Sequence, residues 1–141
     1  MMKIDKVILK GFRNYKDATI NFNNNTLIIG ENDVGKTNLI YALRLILDRS
    51  LSEFDIEPSE LDFHVQGGVQ SEELQIIIKF VDIKEEAALS ILKEHVSDDG
   101  ECIFKYTASK ENLDYKLYLG QNETDLSEIQ SRYYLKYINL K

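Results

Sequence analysis

Several features that would place a protein quickly are scarce in these 141 residues. There is one cysteine, Cys102, so no disulfide can close within the chain and a secreted disulfide scaffold is excluded. There is one proline, Pro58, and no low-complexity tract, while 43% of the residues are hydrophobic, so the chain is expected to fold. No apolar run approaches the ~20 residues that span a bilayer, and the N-terminus has no signal-peptide core, so no membrane partner and a cytoplasmic location are expected. Basic charge is short as well. The formal net charge is −7, and from Leu51 to Ile78 seven acidic residues occur without a single Lys or Arg. Residues 1–49 hold eight Lys/Arg against five Asp/Glu, whereas the rest hold nine against nineteen. A stand-alone nucleic-acid binder usually shows a basic face. DNA contact by this chain therefore needs a local patch, or a part of a larger protein.

What is present is more telling. Gly30-Glu31-Asn32-Asp33-Val34-Gly35-Lys36-Thr37 is a complete G-x-x-x-x-G-K-[ST] phosphate loop. The apolar run Thr26 to Ile29 before it reads as a buried strand, and Asn38 to Asp48 after it as a helix, the context the motif requires. Gly30 and Gly35 are expected to turn with dihedrals that side chains forbid and to let amides approach phosphate closely. Unpaired amides at a helix N-terminus, together with the helix dipole, favour negative charge. Lys36 would reach the β- and γ-phosphates, and the Thr37 hydroxyl would join the coordination of Mg²⁺. Asn32, Asp33 and Val34 fill the variable positions; they belong to the cofactor-binding loop, but spacing gives their side chains no chemistry of their own. The expected cofactors are ATP and Mg²⁺.

The order of elements narrows the fold. Lys3 to Lys10 reads as a strand, Gly11 to Tyr15 breaks it, and Ala18 to Phe22 resumes before the turn Asn23-Asn24-Asn25. In the helix after the loop, Leu39, Ala42, Leu43, Ile46 and Leu47 form one core-facing stripe. Ser50 to Gly68 reads as a long acidic loop with room for a short turn. Glu73 to Val81 reads as a strand and Lys84 to Val96 as a helix. Glu101 to Ala108 and Asp114 to Leu119 read as a hairpin, and Ser127 to Lys141 is ambiguous. Short turns join only antiparallel neighbours. This differs from a GTPase or kinase core, in which parallel strands follow the loop directly. The fold class is α/β with an α+β lobe: a P-loop NTPase matching the N-terminal half of an ABC-type ATPase head with a mixed or antiparallel sheet. One domain segment is expected over 1–141, divided into 1–50 (strands, loop and first helix), 51–72 (acidic loop) and 73–141 (antiparallel lobe).

Ile8-Leu9-Lys10-Gly11-Phe12-Arg13-Asn14-Tyr15, then Ile20-Asn21-Phe22, then Leu27 through Leu39 resemble the opening of RecF/SMC-like ABC ATPases. The loop form G-[EMN]-N-[DN]-x-G-K-[ST]-N, the continuation Tyr41-Ala42-Leu43-Arg44 and Leu47-Asp48, and the loop end Leu61-Asp62-Phe63-His64 are most similar to the OLD (overcoming lysogenisation defect) family of nucleases, and within it to the ATPase subunit of the Gabija anti-phage system. The resemblance spans about residues 4–64 and is weak past residue 70. It implies that Arg13 and Asn14 lie near the nucleotide's ribose and phosphates, a solvated turn being the competing reading. Asn38 would hold the loop or simply pack at the helix start. The family also uses a lobe-junction glutamine; Gln66, Gln70, Gln75, Gln121 and Gln130 are available and nothing selects one.

An ABC-type ATPase also needs a signature motif, an apolar strand ending in acidic groups, and a switch histidine. Ile76-Ile77-Ile78 runs into Lys79, and Val81-Asp82 lacks the following glutamate. Catalytic residues are therefore expected to be absent here, and the chain reads as an N-terminal fragment or a split or truncated product that alone binds nucleotide at best weakly. The acidic residues Glu53, Asp55, Glu57, Glu60 and Asp62 lack EF-hand order and read as a solvated loop. His64 and His95 are too far apart to read as a metal pair. Arg132, Tyr133, Tyr134, Lys136 and Tyr137 could stack bases, though sheet packing explains them as well. Cys102 reads as a buried strand residue rather than a reactive thiol.

Three functions fit this pattern. The first is the ATP-binding segment of an ATP-regulated DNA endonuclease of anti-phage defence. Its DNA contact comes through the full-length protein, its heads associate as a homodimer or higher oligomer, and a helicase-like partner subunit is in view. The second is a RecF/SMC-like repair ATPase without nuclease, and the third a non-catalytic nucleotide-binding module. The full-length protein is expected to be an ATPase and endonuclease, and this chain alone is expected to be inactive.

Overall fold

Strand β1 (Lys3–Phe12) and strand β2 (Tyr15–Asn21) pair antiparallel across a two-residue turn, Arg13-Asn14. The computed structural model describes residues 2–22, 33–48, 50–52 and 54–130. The expected strand Thr26–Ile29, the turn at residues 23–25, Gly30, Asn32, Glu53 and the basic-aromatic run from Arg132 to Tyr137 lie outside the described residues.

Helix α1 (Asp33–Leu47) leads to a 3₁₀ turn at Glu60–Asp62 and a small hairpin, β3 (Val65–Gln66) with β4 (Val69–Gln70). Gly67 and Gly68 close that hairpin with positive φ, so the stretch read as a loop contains a built hairpin. Strand β5 (Glu73–Val81) follows, then helix α2 (Glu86–Leu92) and a 3₁₀ turn at Lys93–His95 in place of one helix reaching Val96. Strands β6 (Cys102–Ser109), β7 (Asp114–Asn122) and β8 (Asp125–Ile129) complete the order. The main sheet runs β2-β1-β5-β6-β7-β8, antiparallel at every described pairing. The first two strands therefore share one sheet with the last four.

Alternation explains which face is buried. Val7 and Leu9 of β1, Leu74, Ile76, Ile78 and Phe80 of β5, and Cys102, Phe104, Tyr106 and Ala108 of β6 all enter one core. Against that face α1 lays Leu39, Ala42, Leu45 and Ile46. The expected stripe included Leu43 and Leu47, but these are half-buried and Leu45 takes the inner place. The helix is rotated so that Asn38, on the same side, meets the β1–β2 turn.

Two polar anchors fix the loop that follows α1. The Tyr106 hydroxyl donates to the Ile56 carbonyl at 2.6 Å, so the ring fills the core while its oxygen is satisfied. Burial pushes the Tyr106 hydroxyl pKa well up, and it stays neutral. Main-chain bonds from His64 N–H to the Gly11 carbonyl (2.9 Å) and from Ser71 N–H to the His64 carbonyl (2.7 Å) then stitch the chain at His64 alongside the end of β1.

Candidate functional site

Three segments far apart in sequence converge at the start of α1. The first is the end of β1. Gly11 has φ +63°, and a Cβ there would run into the Glu73 carbonyl, so only glycine lets the strand pass this closely. Beyond it Arg13 has φ +51°, the left-handed region that costs a side-chain-bearing residue about 1 kcal/mol or more.

Arg13 is held in that conformation from all sides. Its N–H donates to the Asp62 carbonyl at 2.8 Å. Its Nε and Nη2 both donate to Asp62 Oδ1, at 3.0 and 2.9 Å. Its Nη1 donates to Asn38 Oδ1 at 2.9 Å, and the guanidinium carbon lies 3.9 Å from the centre of the Tyr41 ring. Tyr41 in turn stacks on Phe12, ring centres 6.3 Å apart. Asn38 Nδ2 donates to Asn14 Oδ1 at 2.8 Å, so one buried amide joins both turn residues to the helix. Asp62 Oδ2 accepts the Ser59 N–H at 2.9 Å, which leaves this carboxylate fully satisfied although it is buried. The Arg13 side chain uses three of its five N–H groups in these bonds, leaving two for a ligand.

The second tie runs to the phosphate loop itself. The Tyr15 hydroxyl donates to the Gly35 carbonyl at 2.7 Å. Burial raises the pKa of Tyr15, and burial followed by the Asp62 charge raises that of Tyr41, so both hydroxyls stay protonated. Beside this network lies an open groove of about 470 Å³, lined by Arg13, Asn14, Asn38, Leu61, Phe63 and Val65. Leu61 is 87% exposed and Val65 57% exposed, so the rim is apolar while the floor donates hydrogen bonds.

With that geometry established, comparison with known proteins decides the family. A family model described as AAA ATPase domain matches residues 2–141. The chain belongs to this ATPase domain family. Endonuclease GajA of Bacillus cereus is 39% identical over 77 residues, which are 55% of this chain and 13% of GajA. The DNA replication and repair protein RecF of Acetivibrio thermocellus is 56% identical over 45 residues, 31% of this chain and 12% of RecF. The chain thus spans about an eighth of the length of these relatives. A solved SMC ATPase, described for ATP-driven dimerization and DNA-stimulated activation, superposes with a TM-score of 0.63 at 22% identity, covering 94% of this chain and 75% of that one. The fold is that of an ABC-type P-loop NTPase head, as the element order led us to expect.

Within this ATPase domain, Arg13, Asn14, Asn38, Gly35, Lys36 and Thr37 are brought together. Asp33 and Val34 fall in the first turn of α1, their side chains outside the described residues, as are Gly30 and Asn32 entirely. Three expectations need correction. Gly35 is inside the helix and is absent from the positive-φ glycines, so it does not use a forbidden dihedral. Lys36 is half-buried on the first turns of α1 and does not lie on an open loop. Asp62 leaves the solvated acidic loop and becomes the partner of Arg13, so the Arg13 side chain is anchored, while Asn14 beside it is exposed.

Sequence reasoning missed Asp62, His64, Tyr15 and Tyr41 as parts of the site. The available signal was Asp62 lying between Leu61 and Phe63, an acid flanked by apolar residues where solvated neighbours would be expected. Among the described residues no group of three or more His, Cys, Asp or Glu is placed to hold a metal. Cys102 is buried and its pKa is pushed up to about 12 by burial, so the thiol is inert at neutral pH. Among the described residues no helix is long and apolar enough to cross a membrane.

Proposed function

We propose that this chain is the ATP-binding N-terminal part of an ATPase head belonging to an OLD-family DNA endonuclease of anti-phage defence. One observation carries the reading: Arg13, Asn14 and Asn38 are locked together beside Lys36 and Thr37, at the helix N-terminus that follows a phosphate loop. The loop residues Gly30 and Asn32 to Thr37 would surround the phosphates, with Lys36 on the β- and γ-oxygens. The two uncommitted Arg13 N–H groups and Asn14 would meet ribose and phosphate oxygens, and the apolar rim of Leu61 and Val65 suits the face of the base.

The donor set fits Mg²⁺ as it usually sits in such sites. Thr37 is exposed, so its hydroxyl can serve as one ligand, and further ligands would come from phosphate oxygens, water and acids elsewhere in the protein. Bound there, the ion would neutralise charge on the phosphates. The chain's own part is to bind and orient, since it carries no recognisable general base. Residues 1–50, 51–72 and 73–141 would then act as strand-and-loop core, connecting loop and lobe of a single segment. Two heads would associate over ATP and control DNA access to a nuclease region, with a helicase-like subunit as further partner. The likeness to Endonuclease GajA, 39% identical over 55% of the chain, supports the nuclease reading. The second reading, a RecF/SMC-like repair ATPase, is supported by the shared head fold.

Plasmid cleavage by the complete protein separates the two. Metal-dependent nicking whose response to ATP disappears in Lys36→Ala supports the nuclease. DNA-stimulated ATP turnover without cleavage favours the repair ATPase. Nucleotide binding with neither activity leaves a non-catalytic module.

A further inference from the structure

We infer that His64 is a positioning residue for Arg13, setting the backbone that aims the guanidinium at the nucleotide; the nucleotide part of this rests on the function proposed above. The His64 Nδ1 lies 2.7 Å from the Arg13 carbonyl oxygen. A carbonyl only accepts, so Nδ1 carries the hydrogen and Nε2 of the neutral ring is the bare acceptor. That Nε2 is buried and has no hydrogen-bond partner. An orphaned buried acceptor is unfavourable, and a phenylalanine would fill the same space without one. The polar chemistry of His64 is thus spent on one contact, the Arg13 main chain.

That contact falls where it has most leverage. Arg13 sits at φ +51°, from which an arginine relaxes readily toward the right-handed or extended regions. Asp62 holds its N–H and His64 its carbonyl, so the peptide groups on both sides of the strained φ and ψ are pinned by one short segment. The segment is itself anchored through the His64 main chain to Gly11 and Ser71. Releasing the carbonyl lets ψ rotate, and the guanidinium then leaves Asn38 and the groove. The buried Nε2 offers nothing to solvent, which separates this role from that of a ligand-contacting histidine.

The test reads Arg13 directly and nucleotide separately. Nitrogen-correlated NMR of the unaltered chain should show the His64 ring in the Nδ1–H form; the Nε2–H form overturns the inference with no variant made. His64→Asn keeps a donor near the Nδ1 position, His64→Gln moves it to the Nε2 position, and His64→Phe removes it. The Arg13 Nε–H should stay slow to exchange in His64→Asn and exchange about tenfold faster in the other two, as expected for loss of one hydrogen bond. Mg-ATP should bind His64→Asn within about twofold of the parent, and His64→Gln and His64→Phe about fivefold more weakly. Parent-like Arg13 exchange in folded His64→Gln and His64→Phe contradicts the inference. If the parent binds no nucleotide while the exchange pattern holds, the proposed function fails and the positioning of Arg13 stands.

Discussion

The Tyr15 hydroxyl and the Gly35 carbonyl, 20 positions apart, are joined by a hydrogen bond of 2.7 Å that ties the first hairpin to the opening turns of α1. A helix N-terminus that must hold phosphate gains from being fixed before the ligand arrives. Tyr15→Phe removes this bond and the hydroxyl's contact with the Asn14 side chain, leaving the ring in place. The domain should lose about 1 kcal/mol of stability, and nucleotide should bind a few-fold more weakly. Chemical denaturation and a nucleotide titration of the same variant check both.

The Arg13–Asp62 pair should be far more sensitive. The Asp62 side chain is 4% exposed and that of Arg13 27%, so the pair is partly shielded from water. Asp62→Ala strands a half-buried guanidinium and the Ser59 N–H, and about 2–3 kcal/mol of stability should be lost. Asp62→Asn keeps the shape and one acceptor and should lose less. Equal unfolding midpoints for the parent and Asp62→Ala would remove the pair from the account.

Gly11→Ala tests the strand that carries Arg13. A Cβ at φ +63° meets the Glu73 carbonyl, so β1 and β5 must separate locally. The cost should be about 2 kcal/mol or more, because strain and lost pairing add. Gly67→Ala has positive φ but open space around it and should cost about 1 kcal/mol. Thermal melts of the two variants give the order.

Cys102 provides a pH and accessibility readout. With its pKa raised to about 12, the folded thiol stays protonated where an unfolded one ionises near 8.5. Stability from this group is full below about pH 8.5 and declines as pH rises toward 12. A thiol reagent at pH 8 should leave the native domain unlabelled and label it fully in denaturant.

Much of this was legible beforehand, for identifiable reasons. Strand β5 matched its expected bounds because Leu74 to Phe80 is a β-rich run ended by turn residues. The antiparallel order followed from turns too short for a crossover. Strand β8 was missed because Asp125 to Ile129 is an edge strand with three polar residues, which dilutes any apolar pattern. Helix α1 begins at Asp33, five residues before the expected start, since glycine in the phosphate loop masks helical propensity. The roles of Asp62 and His64 were hidden for a different reason. Each acts on Arg13 about fifty positions away, and no local pattern records that distance.

The central claim is nucleotide binding at the start of α1, and a Mg-ATP titration followed by nitrogen-correlated NMR of this chain and of Lys36→Ala tests it most directly. The account predicts saturable shifts at Arg13, Asn14, Gly35, Lys36, Thr37 and Asn38 in the parent, lost in a folded Lys36→Ala. Shifts absent from these residues, or equally large in the variant, would contradict it.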